Sequence, residues 1–145
     1  RTKQEGSGKV SKPRYWWYWN VCRTIGEFPK LDRQVRDMSR QKITPGYSAQ
    51  TGGHSSGRAV EDIAVRVLSS REYEDYAAVQ AAINTAQTWR DGADVLEIVR
   101  LHAWIWPRES LASAARRVHV SQSTAKRMYS RFVYEAAREL GYRKN

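Results

Sequence analysis

The chain has 145 residues, 25 Lys+Arg against 15 Asp+Glu, a net charge of +10 and a pI near 10. With 41% apolar and 11% aromatic residues it has enough to build a core, which sets it apart from disordered chains. A single cysteine, Cys22, excludes an internal disulfide and a cysteine-based zinc site. No apolar run approaches the roughly 18 residues of a membrane span or forms a signal-peptide core. A soluble, intracellular chain with an acidic partner is the expectation, in one domain or two very small ones.

Charge is unevenly placed. Residues 1–45 hold 11 basic and 4 acidic residues, a net +7. Residues 46–109 hold 6 and 9, a net −3, and residues 110–145 hold 8 and 2, a net +6. Two electropositive ends suit a polyanion, because clustered cations release counterions from phosphate.

In chain order, residues 1–14 are polar, basic and Gly/Ser-containing, and read as a flexible arm able to lie along a DNA backbone or in a minor groove. Residues 15–44 read as an N-terminal helical module. It starts at Tyr15-Trp16-Trp17-Tyr18-Trp19 and continues through Val21, Cys22 and Ile25. Gly26 to Pro29 is expected to break it, with Leu31, Val35 and Met38 on one face of a second short helix. Residues 45–58 form a Gly/Ser/Pro linker, so residues 59–145 are expected to fold as a separate helical domain. Within that domain, residues 59–68 are amphipathic, and Ser69-Ser70-Arg71-Glu72 matches a capping box that opens the next helix. A further helix runs from about Asp94 to Ile105 and ends at Pro107. No strand-period segment of useful length is present. The fold class is therefore all-α.

Residues 110–140 carry the functional signal. Ser110 is placed to cap a helix containing Leu111, Ala114 and Ala115, and Val118-His119-Val120 makes a tight connection. Ser121 is placed to cap the following helix, whose apolar stripe is Ala125, Met128, Phe132 and Ala136. Two helices joined so closely, with alanines at the crossing, form a helix-turn-helix. His119 stands where glycine is usual, at a position that tends to adopt positive φ. Ser123, Arg127, Ser130 and Tyr134 point away from the apolar stripe, flanked by Lys126 and Arg131. Cations there suit guanine N7 and O6, and Gln122 suits adenine. Ser121 and the helix-start amides suit a phosphate, Thr124 joins the DNA-binding set beside them, and Arg116 and Arg117 suit the flanking backbone. Without that role, the same residues make an αα-hairpin with a solvated basic face.

In order along the chain, Tyr15-Trp16-Trp17-Tyr18, Arg40-Gln41-Lys42-Ile43-Thr44-Pro45, and Ala114–Arg127 with its Val118-His119-Val120-Ser121 turn resemble the phage late-transcription activators of the RinA/ArpU type. The turn and basic helix also resemble the fourth region of sigma factors. Gly57-Arg58-Ala59-Val60-Glu61 departs from the family's Pro-Thr-Glu-like helix start. The resemblance implies a small activator of late packaging and structural genes. It would act on promoter duplex in the cytoplasm of a bacterial host, with RNA polymerase as a further partner. A terminase small subunit and an oligomeric adaptor that binds no duplex are the alternatives.

Other signals point nowhere. Gly53-His54-Ser55-Ser56-Gly57 matches a nucleophile-elbow pattern but lies in a Gly/Ser tract without the flanking strand that chemistry needs. His54, His102 and His119 lack metal-ligand spacing, there is no nucleotide-binding loop, and Cys22 reads as a small buried residue. No catalytic residue, metal, cofactor or membrane is expected. The Tyr15–Trp19 run covers every side of a helix, so some of its rings must pack on the C-terminal module, on a second copy or on a protein partner, with a membrane interface or stacking on nucleobases as lesser options.

Overall fold

The structure, a computed structural model, describes residues 13–42 and 68–142. The Gly/Ser linker, the amphipathic stretch before Leu68, most of the arm and the Gly53–Gly57 match lie outside the described residues. Among those described there are five α-helices and no strand. They are α1 (Tyr18–Lys42), α2 (Ser70–Gln87), α3 (Gly92–Val99), α4 (Leu111–Val118) and α5 (Gln122–Glu139). A π-helical turn at Arg100–Trp104 extends α3. The fold is all-α.

Serines set the helix starts. Ser69 Oγ accepts the Glu72 amide at 3.2 Å, the serine half of the capping box, and its hydroxyl donates to the Glu72 carboxylate. Ser110 caps α4 through the Ser113 amide, and Ser121 caps α5 through the Thr124 amide, each at 3.1 Å.

The expected break at Gly26–Pro29 does not occur; α1 runs straight through Pro29. Proline has no N–H for the carbonyl four residues back, which here is Ile25. The Trp104 indole supplies that missing donor, giving its Nε1–H to the Ile25 carbonyl at 2.8 Å. A tertiary hydrogen bond thus replaces the helical one.

The division into two separate helical modules is also revised. Trp17, Val21, Ile25 and Phe28 of the N-terminal segment are buried in one cluster with Val79, Val95, Ile98, Tyr129, Phe132 and Val133. The central element is α5, packed against α1, α2, α3 and α4. Gly92 permits the tight turn before α3, since a Cβ there would stand 2.0 Å from the Ala86 carbonyl oxygen.

The α4–α5 connection is three residues, His119 to Ser121. His119 adopts φ 61°, ψ 41°, in the left-handed region. The Val120 amide donates to the Ala115 carbonyl and the His119 amide to the Arg116 carbonyl, the paired bonds of a Schellman turn. The end of α5 uses the same pair, from Tyr142 to Ala137 and from Gly141 to Arg138, with Gly141 at φ 85°. Left-handed strain on a side-chain-bearing residue is about 1–2 kcal/mol, and the extra chain entropy of glycine offsets about 0.5–1 of it. His119→Gly is therefore expected to raise stability by about 0.5–1 kcal/mol, read from urea unfolding. A fall would show that the imidazole holds the turn through contacts of its own.

Candidate nucleic-acid interface

The sequence places ten side chains at the interface, and the structure sorts them. Gln122, Ser123, Lys126 and Arg127 are exposed on the first turns of α5. Their positions follow from the burial of Ala125 and Tyr129, which turns the opposite side of the helix outward. No acidic residue lies between Gln122 and Tyr129. Arg116 is exposed near the end of α4.

Ser121, Thr124 and Arg127 form a short relay. The Ser121 hydroxyl donates to Thr124 Oγ1 at 2.8 Å, and Arg127 Nη2 donates to the same oxygen at 3.3 Å. Ser121 and Thr124 thus act on the helix start and on Arg127, which leaves the Ser121 hydroxyl less free for a phosphate than its sequence position implies. Holding Arg127 by one bond reduces the rotamer entropy that a bound state must otherwise remove.

Three of the ten, and Tyr134 on the same expected outward face, are otherwise engaged. Arg117 pairs with Glu109 at 2.8 Å. Arg131 donates to Asp91 Oδ1 at 3.0 Å, and its guanidinium lies 3.9 Å from the centre of the Trp89 ring. Ser130 is half-buried, 3.4 Å from the Tyr18 hydroxyl. Tyr134 is half-buried too, edge-on to Tyr15 at 5.9 Å and to Trp17 at 6.1 Å. The outward face read from helical spacing is therefore open on its first two turns and partly covered at Ser130 and Tyr134, while Arg131 beside them stays exposed. The cover comes from the aromatic run. Trp17 is in the core, Tyr15 and Tyr18 lie against α5, and Trp16 and Trp19 remain 80% and 59% exposed.

Sequence reasoning missed Trp89, Asp91 and Glu109, which hold two of the arginines. It also missed Arg138, an exposed cation two helical turns beyond Arg131. Glu109 was within local reach of Arg117; Asp91 is 40 residues from Arg131 and gives no local signal.

Other groups are quieter. Burial pushes the Cys22 thiol pKa up, which suppresses the thiolate a nucleophile would need. Burial raises Tyr129 further still. His102 Nδ1 donates to the Glu109 carbonyl at 2.7 Å, with Tyr129 edge-on to its ring. Among the described residues no group of three His, Cys, Asp or Glu could hold a metal ion, and no helix is long and apolar enough to cross a membrane. No family model, curated protein or solved structure matches the chain.

Proposed function

We propose that this chain is a sequence-specific double-stranded DNA-binding transcriptional regulator, with α4 and α5 as its helix-turn-helix and the first two turns of α5 in the major groove. One observation carries the reading. Two serine-capped helices meet through a three-residue left-handed turn, and the second presents Gln122, Ser123, Lys126 and Arg127 outward with no carboxylate among them. An α-helix fits the major groove, where Arg and Lys recognise guanine and Gln recognises adenine. Arg116 is placed for the flanking phosphates, which fix register without reading bases. The likeness of the sequence to phage late-transcription activators extends the proposal to a promoter site and to RNA polymerase as a partner.

Arg127→Ala is the test. It is expected to weaken binding to the preferred duplex by about 1–3 kcal/mol and to relax discrimination at one base pair. Competition between preferred and random duplex reads both effects. Equal loss on the two would move Arg127 to the backbone, and no loss would take α5 out of the groove.

A further inference from the structure

Beyond Arg127 the surface of α5 becomes a groove of about 780 Å³. Lys126, Arg127, Ser130, Arg131, Tyr134 and Arg138 line it along the helix, and Trp17, Trp89 and Tyr142 complete its walls. Arg127, Arg131, Tyr134 and Arg138 follow spacings of four, three and four, so they form a single row on one side of α5. Four cations, Lys126, Arg127, Arg131 and Arg138, line the groove with one carboxylate, that of Glu135, and a second carboxylate, Asp91, pairs with Arg131 from outside the lining. Arg131 is held by Asp91 and Trp89, whereas Arg138 is exposed and its guanidinium has no side-chain partner among the described residues. From Arg127 to Arg138 the row spans about 16 Å, the axial length of roughly five nucleotides of one DNA strand.

We infer that this groove holds the sugar-phosphate backbone of one DNA strand where it leaves the segment read by the start of α5, with Arg138 as a phosphate contact. Charge sets the class of occupant, since four cations against the two carboxylates of Glu135 and Asp91 leave an excess that asks for a polyanion. Shape narrows it. A straight row of arginines fits an extended chain of charges better than a compact ion, and aromatic walls suit the apolar faces of the sugars. Continuity decides between polyanions, because Lys126 and Arg127 belong both to the groove and to the reading surface. An acidic protein segment would match the charge but has no reason to begin at those two residues. The inference rests on the DNA-binding reading above and adds to it a stretch of backbone beyond the bases read.

The experiment uses the full chain carrying Arg138→Gln or Arg138→Glu, with Arg127→Ala alongside. Arg138 is exposed, so thermal unfolding of Arg138→Gln should stay close to the parent, while Arg138→Glu, an anion in the last turn of α5, should unfold slightly earlier but remain folded. Arg138→Gln is expected to weaken preferred and random duplex by the same factor and to make the slope of log K against log salt shallower by about 0.9. Arg138→Glu should go further in the same direction. Hydroxyl-radical footprints should lose protection at one end of one strand in both. Parental slope and footprint in both Arg138 variants would overturn the inference. If Arg127→Ala still lost base discrimination, the DNA-binding reading would stand and the groove would pass to an acidic protein partner. A parent chain that retained no duplex would end both.

Discussion

A fragment beginning at residue 59 is expected to lose its fold. Removing what precedes it takes away Trp17, Val21, Ile25, Phe28 and Leu31, all of them buried. At about 1.5–3 kcal/mol each, these five side chains come to roughly 8–15 kcal/mol. That is as large as the roughly 5–15 kcal/mol by which a whole domain is stable. It would also uncover Val133 and Phe132 on α5 and orphan the Trp104 indole N–H, which has its acceptor at Ile25. Far-UV circular dichroism and a thermal scan of the fragment are the measurement. Weak helicity without a cooperative transition is the expected result. A sharp transition with native helicity would show α1 to be dispensable and would restore the two-module division suggested by the linker.

The second large effect concerns Trp104. Its indole donates to the Ile25 carbonyl, and its ring packs against Phe28 at 5.6 Å and edge-on to Phe132 at 6.1 Å. Trp104→Ala removes the packing and the donor together and is expected to cost about 3–5 kcal/mol. Trp104→Phe keeps most of the ring and leaves the Ile25 carbonyl short of a partner, for about 1–3 kcal/mol. The two contributions separate in a double-mutant cycle with Pro29→Ala. Alanine at position 29 has the N–H that proline lacks, so α1 satisfies Ile25 by itself. Trp104→Phe should therefore cost less in the Pro29→Ala background than in the parent, by about 1 kcal/mol in urea unfolding. Equal costs in both would mean that the indole bond contributes nothing to holding α1 through its proline.

What the sequence showed and what it hid divide by range. The caps at Ser69, Ser110 and Ser121 depend on an oxygen and an amide three residues apart, so a short window contains both partners. The left-handed turn at His119 was legible for the same reason, even with glycine absent. The apolar stripe of α5 followed from helical spacing, although its burial extends to Tyr129, Val133 and Ala137 because helices pack on α5 from several directions. The misreadings are all long-range. Pro29 looked like a break because its rescue comes from Trp104, bonded to a carbonyl 79 residues away. Arg131 looked free for DNA because Asp91 and Trp89 stand on another turn of the chain. Ser130 and Tyr134 looked outward because spacing fixes which side of a helix a residue occupies, and only the tertiary fold decides what covers that side.

The aromatic run joins both halves of that lesson. Five consecutive rings cannot share one helix face, so composition alone required a second surface for them. The structure places that surface on α5, next to the residues proposed to read DNA. The packing surface and the proposed reading surface meet on one helix.

The most direct measurement is retention of the full chain on a pool of random-sequence duplexes, followed by sequencing of what is kept. Enrichment of one short sequence is expected, with affinity falling steeply as salt rises and with base discrimination reduced in Arg127→Ala. A pool that stays random after repeated rounds, or a chain that retains no duplex at low salt, would contradict sequence-specific recognition by α5.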